Sequence, residues 1–244
     1  MDLKEHLLQN RRHIQKKKIS LKEYIANMKK EFGNLQMKVF CFNPFLVNTL
    51  VFYDETKEAV IVDPGNHVKK ENEALREFIE KNELTVKYIL ITHAHIDHVL
   101  GCAYCKETFS APIVMHKVAS ELYKDVHESA ELFSFYINDF PAPSKLLEEK
   151  DKIKFGNQTW EVIYTPGHMD GSISFYDSKN RFVVTGDIIF SQSIGRTDLP
   201  TGSFSLLIET VKAKLFTLDE DVVVISGHGE MTTIGQQKRE NPFF

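Results

Sequence analysis

The sequence predicts a mixed α/β layered fold, and three features carry that expectation. Short apolar runs of strand character recur along the chain, from Met37–Phe42 to Val222–Ile225. A helical pattern over residues 70–82, marked by Leu75, Phe78 and Ile79, stands between the runs Ala59–Val62 and Val86–Ile91. Strand, helix, strand is the order of a layered sheet. Several runs end in histidine or aspartate beside glycine, where α/β folds place their chemistry. At 244 residues the chain is long enough for a real core, and its 42% hydrophobic and 26% charged residues are ordinary for a globular protein. A net charge of -4 gives no global affinity for nucleic acid. No run approaches the ~18–20 apolar residues that span a bilayer. The longest, Val39 to Tyr53, is interrupted by Asn43, Pro44, Asn48 and Thr49. Three cysteines make no disulfide framework, and no hydrophobic leader opens the chain, so a reducing, cytoplasmic setting is expected.

The first residues differ from the rest. Positions 1–36 hold nine Lys or Arg against four Asp or Glu, so this segment is basic and the remainder acidic. Ser20 and Glu23 form a capping box, and Leu21, Tyr24, Ile25, Met28 and Phe32 follow at helical spacing before Gly33-Asn34. Residues 1–36 are therefore expected to be a basic amphipathic helical extension, and 37–244 the functional domain. The apolar stripe is expected to pack on the body or on a second subunit, which would let it mediate self-association. Lys16-Lys17-Lys18 is then a solvated face, with a membrane-surface or nucleic-acid helix as the alternative. Another reading makes Met37 the natural start, because the strand pattern begins there.

Met37–Phe42 and Phe45–Tyr53 are expected as strands separated by Asn43-Pro44. Ala59–Val62 is a third, ending at the turn Asp63-Pro64-Gly65. Asp63 either supports a site from behind or simply caps that turn. His67 is expected to be solvated. Strand Val86–Ile91 leads into Thr92-His93-Ala94-His95-Ile96-Asp97-His98, three histidines and an aspartate within six residues. On a strand, alternation would put His93, His95 and Asp97 on one side and His98 on the other. A turn there aims two ligand sets at two neighbouring points. Imidazole and carboxylate suit zinc, iron and manganese, and the lack of cysteine among the candidates argues against a closed structural zinc site.

Cys102 and Cys105 are spaced as a pair on one helix face and are expected to be packed thiols. Pro112–Met115 is a short strand and His116 at its end a structural residue. Residues 117–137 are expected to be helical, with His127 solvated. The aromatic stretch Leu132–Ile137 forms core or part of a substrate wall, with core expected. Pro141-Ala142-Pro143-Ser144 marks an exposed loop. Strands at Ile153–Phe155, Thr159–Tyr164, Ser172–Tyr176, Arg181–Val184 and Val222–Ile225 follow, the first two joined by Gly156-Asn157. Three of these runs deliver His168, Asp187 and His228, each next to glycine, which lets backbone approach closely. With the histidine loop they point to one shared metal site.

In these motifs, Thr92–His98, Thr165-Pro166-Gly167-His168, Gly186-Asp187 and Gly227-His228-Gly229, the sequence resembles the metallo-β-lactamase superfamily of hydrolases. Gly195-Arg196-Thr197-Asp198 and the tail from Thr232 to Phe243 are similar to the short glyoxalase II-like, or hydroxyacylglutathione hydrolase-like, branch. The resemblance spans Met37 to Phe244. It implies an αβ/βα sandwich: two mixed β-sheets face to face, flanked by helices, with two divalent metal ions at one edge, zinc foremost and iron or manganese as alternatives. By matching position, His93, His95 and His168 would hold the first metal, Asp97, His98 and His228 the second, and Asp187 would bridge them. It further implies attack on a small thioester by a hydroxide shared between the metals, with Asp97 and Asp187 holding the attacking oxygen in line. Long glyoxalase II enzymes add a C-terminal domain that grips glutathione. This chain ends soon after His228, which leaves Arg196, Lys238 and Arg239 as candidates to meet an anionic substrate. For Arg196 the alternative is a salt bridge with Asp198; for Lys238 and Arg239 it is a solvated helix end. The second enzymatic reading is a persulfide dioxygenase of the same superfamily, which uses mononuclear iron and shares the Gly-Arg-Thr-Asp segment. Gly229 and Thr232-Thr233-Ile234-Gly235 favour the hydrolase branch. A non-enzymatic metal-binding module is disfavoured by retention of every ligand-type residue.

Overall fold

Alternation of buried side chains over Leu50, Val51, Phe52 and Tyr53 shows that this run is covered on both faces. Leu50 and Phe52 join the core between two sheets; Val51 and Tyr53 join the core beneath the helices. A strand buried on both sides carries a near-continuous apolar sequence. The computed structural model describes residues 34–135, 137 and 140–244. The helices expected before Gly33 lie outside the described residues; Asn34 is an exposed turn, Leu35 is buried and Gln36 already opens the first strand.

The first sheet takes its strands in chain order: β1 (Gln36–Phe42), β2 (Val47–Tyr53), β3 (Glu58–Val62), β4 (Thr85–Leu90), β5 (Ile113–His116) and β6 (Lys145–Leu147). The first three are antiparallel neighbours, and β3 to β6 run parallel. The second sheet holds β7 (Lys152–Phe155), β8 (Gln158–Tyr164), β9 (Ile173–Asp177) and β10 (Phe182–Gly186). After a small hairpin of β11 (Ile189–Phe190) and β12 (Ser193–Ile194), β13 (Val223–Ser226) and β14 (Thr232–Thr233) complete it, in the order β14-β13-β10-β9-β8-β7. Helices α1 (Lys69–Lys81), α2 (Ile96–Val99), α3 (Cys102–Phe109), α4 (Lys117–Leu122) and α5 (Val126–Leu132) belong to the first half. Helix α6 (Phe204–Thr210), continued by a π-turn over Val211–Leu215, and α7 (Ile234–Glu240) cover the second sheet. The expected αβ/βα sandwich is what forms. Trp160 is buried at its centre among Phe52, Phe155 and Phe182, with ring centroids 4.8, 5.0 and 5.5 Å away. Its indole Nε1 donates to Asp177 Oδ2 at 2.9 Å, so the polar end of the buried ring is satisfied.

Several sequence expectations need correction. The second strand begins at Val47, not Phe45, because Asn43 (φ 52°) and Leu46 (φ 62°) take left-handed conformations that end the extended run. The expected helix over 117–137 breaks into α4, a 3-10 turn at Tyr123–Asp125 and α5. It stops at Leu132 because Ser134 is left-handed (φ 58°), with Phe135 N donating to Ala130 O and Ser134 N to Glu131 O. That is the Schellman pattern, which satisfies the last carbonyls. The aromatic stretch after it is not all core: Leu132 is 78% exposed and Phe133 37%. Cys102 and Cys105 are buried as packed thiols, and His116 Nδ1 accepts Val118 N–H as the N-cap of α4. Among the described residues no helix is long and apolar enough to cross a membrane.

At one edge of the sandwich, Asp54 ties the two sheets together. Its Oδ1 accepts from Thr56 N and Oγ1, and its Oδ2 from Asn157 N and Gln158 Nε2 in the β7–β8 turn, all within 3.0 Å. Burial pushes this carboxyl up, but the hydrogen bonds outweigh it and hold it below its ordinary 3.8. Asp54→Ala is expected to cost about 2–3 kcal/mol in urea unfolding at pH 7, since the bonds are made to a charged acceptor. A depressed folded value means that this contribution is complete above the unfolded value and disappears as pH falls through the folded one. The difference between Asp54→Ala and the parent should therefore shrink in unfolding titrations carried below pH 3.8.

Candidate metal centre

Strands β3, β4, β8, β10 and β13 all finish at the opposite edge of the sandwich, since β3 and β4 are parallel and β8, β10 and β13 share one direction. Their ends deliver Asp63, the Thr92–His98 loop, His168, Asp187 and His228 to one place. The strand alternation expected through the loop does not occur. The chain leaves strand geometry after Leu90 and turns helical at Ile96, with His95 as the N-cap of α2. A helix turns about 100° per residue, so consecutive Asp97 and His98 both face the cluster. His98 Nε2 lies 3.5 Å from Asp97 Oδ2.

Two groups of donors result. His95 Nδ1 is 3.1 Å from His93 Nε2 and 2.8 Å from His168 Nε2. On the other side, Asp97, His98 and His228 converge, with His228 Nε2 3.1 Å from Asp97 Oδ2. Asp187 stands between the groups. Its Oδ1 is 3.4 Å from His98 Nε2, and its Oδ2 is 3.4 Å from His228 Nε2 and 3.8 Å from His168 Nε2.

The rings are oriented from behind. His98 Nδ1 donates to Asp63 Oδ2 at 2.9 Å, His168 Nδ1 to the Arg196 carbonyl at 2.7 Å, and His228 Nδ1 to the Leu46 carbonyl at 3.2 Å. Thr92 Oγ1 donates to Asp63 Oδ2 and so receives the His93 Nδ1 proton at 3.0 Å. With Nδ1 engaged from behind, each of these four rings turns its Nε2 inward; such outer hydrogen bonds set the aim of the ring at metal sites. Asp63 thus supports the site from behind rather than capping its own turn: its Oδ1 accepts the Thr92 N–H at 2.8 Å and its Oδ2 orients His98.

The donor set fits divalent cations. His98 Nε2 and Asp187 Oδ1 are buried side-chain atoms without a hydrogen-bond partner, an arrangement that costs free energy unless a further group meets them. Three overlapping sets drawn from seven residues, His95–His168 with His93, His93–His98 with Asp187, and Asp97–His98 with His228, each bring their donor atoms within 4.8 Å of one another. Imidazole and carboxylate without thiolate suit zinc, iron or manganese. Burial drives His93 well below its ordinary value and His95 to about 3, with neighbouring histidines adding to the effect, so both are neutral and ready to donate a lone pair. Burial opposes ionisation of Asp97, but His98 and His228 outweigh it and bring the carboxyl to about 2.

Among the candidate substrate residues, Arg196 adjoins the cluster, with its carbonyl on His168 Nδ1. Arg196 donates through Nε and Nη2 to Asp198 at 2.8 Å each, so the salt bridge forms. Arg239 pairs with Glu220 at 3.1 Å, ahead of β13, whereas His228 follows that strand. Among the described residues no hydrogen bond or ion pair joins Lys238 to the cluster. What the sequence could not announce is the part played by backbone: the Leu46 and Arg196 carbonyls carry no side-chain signal. Asn43 had one, its place beside Pro44; its Nδ2 donates to the Asp97 carbonyl at 2.9 Å.

A layered sandwich with such a cluster at one sheet edge is the arrangement of a metal-dependent hydrolase. The chain belongs to the metallo-β-lactamase superfamily, whose sequence profile matches residues 42–228. It is 34% identical over 211 residues to hydroxyacylglutathione hydrolase GloC of Haemophilus influenzae, covering 86% of this chain and 98% of that one. Among solved structures, the BLEG-1 B3 metallo-β-lactamase is similar with a TM-score of 0.78 and 37% identity, over 85% of this chain and 99% of that one. TTHA1623 in a di-iron-bound form is similar with a TM-score of 0.76 and 32% identity, over 85% and 100%.

Proposed function

We propose that the protein is a di-metal hydrolase of small thioesters. In this reading His93, His95 and His168 hold one cation, Asp97, His98 and His228 the other, and Asp187 serves both. The observation that carries it is the position of the Asp187 carboxylate, with one oxygen toward His98 and the other toward His168 and His228. Bound divalent cations supply an activated water at neutral pH and polarise the carbonyl to be attacked. Asp97 and Asp187 hold the attacking oxygen in line. Asp63, Thr92 and the Leu46 and Arg196 carbonyls keep the imidazoles aimed, so little rearrangement is needed during the reaction. Zinc is the first choice of metal, with iron and manganese matching the same donors. The thioester follows from the likeness to the GloC hydrolase. Three cysteines without a disulfide support a cytoplasmic location.

The test is a panel of acyl thioesters assayed beside elemental analysis of the purified protein. Two metals per chain and thiol release are expected. One iron per chain with oxygen uptake on a persulfide would replace this reading with the dioxygenase one.

A further inference from the structure

The loop between β1 and β2 sets Phe45 between two residues bonded to the cluster, and its backbone is constrained. Asn43 and Leu46 are both left-handed, at φ 52° and 62°, a conformation that costs free energy in residues other than glycine. The loop is fastened on both sides of Phe45. Asn43 Nδ2 donates to the carbonyls of Asp97 (2.9 Å) and Gly65 (3.0 Å), and Asn43 Oδ1 accepts Phe45 N–H at 3.0 Å. The Leu46 carbonyl receives His228 Nδ1. Phe45 is thus built between two residues bonded to members of the Asp97–His98–His228 group.

Its ring is only half-buried. It meets Phe133 at 5.1 Å and 88°, and Phe135 at 6.0 Å. Phe133 and its neighbour Leu132 face solvent. Phe190 approaches His228, at 6.2 Å and 74° between ring planes. Beside His168 the chain is polar instead: Arg196 is 46% exposed and paired with Asp198. Exposed aromatics continuous with a candidate site mark apolar ligand recognition.

We infer that Phe45 and Phe133 are specificity-determining residues that receive an aromatic or branched apolar acyl group on the His228 side of the site. The polar thiol carrier then lies toward His168 and Arg196. This rests on the thioesterase reading for the reaction but not for the binding.

The experiment compares phenylacetyl and acetyl thioesters of N-acetylcysteamine. Phe45→Ala and Phe133→Ala should each lower the ratio of the two kcat/KM values by about tenfold, and Phe45→Leu should restore most of it. A ratio unchanged in both alanine variants overturns the inference, whatever the absolute rates. The second measurement needs no turnover: binding of phenylacetate and acetate to the metal-loaded protein, followed by calorimetry. The parent should prefer phenylacetate by about tenfold and Phe45→Ala should lose that preference. Preference without thioester turnover removes the proposed reaction and keeps the subsite. Turnover without preference does the reverse.

Discussion

His95→Ala should abolish turnover, by about a thousandfold or more, and remove the first cation. The argument is geometric. His95 Nδ1 is the common neighbour of the other two nitrogens in its group, at 3.1 Å from His93 and 2.8 Å from His168. Without it, two imidazoles and the shared Asp187 carboxylate remain for the first cation, one donor short of the four that a tetrahedral site takes. Loss of fold is not the route to this result. His95 is the N-cap of α2 but makes no side-chain capping bond, and it is less buried than His93 or His98. The metal-free variant should therefore melt with the metal-free parent. Elemental analysis, thioester turnover and a thermal melt of both apoproteins check the three parts. A variant that retains two metals and full turnover would overturn the di-metal reading.

Much of this centre was legible because the sequence places unusual side chains where backbone pattern says a strand ends. Asp187 after Phe182–Gly186 and His228 after Val223–Ser226 could be assigned to one edge by pattern alone. Division of the donors into two groups was not legible that way. Strand alternation would have separated His98 from Asp97, whereas a four-residue helix brings them together. The resemblance supplied the division instead. What aims the rings was hidden for a different reason. A carbonyl is present at every residue, so nothing in the letters Leu46 or Arg196 announces that it will meet an imidazole. Likewise, Leu132 and Phe133 are apolar residues left in solvent, against the burial that their type predicts. Such local violations are where function departs from folding rules.

Gly227→Ala should damage the centre although the residue has no side chain to offer. Gly227 lies in the narrow space between the ends of β10 and β13, its N–H donating to the Gly186 carbonyl at 2.8 Å and its own carbonyl accepting Asn48 N–H at 2.7 Å. These bonds fix the backbone from both sides. A Cβ added there would fall 2.6 Å from His98 Cε1 and closer still to Asp187 Oδ1. Neither neighbour can yield cheaply, because His98 is pinned by Asp63 and Asp187 is the carboxylate between the two groups. A shift of about 1 Å in a catalytic group costs about a hundredfold in rate, so a fall of that order or more is expected, with loss of the second cation. Gly229→Ala is the control. It meets nothing within 4 Å, but its φ of +74° makes any side chain strained. It should lose about 1–2 kcal/mol of stability and keep its metals. The two glycines thus separate two reasons for glycine on one loop: room for a carboxylate and freedom to turn. Metal content, kcat and urea unfolding of the two variants read them apart. Equal metal content and equal rates in both would mean that the space beside Gly227 does not position Asp187.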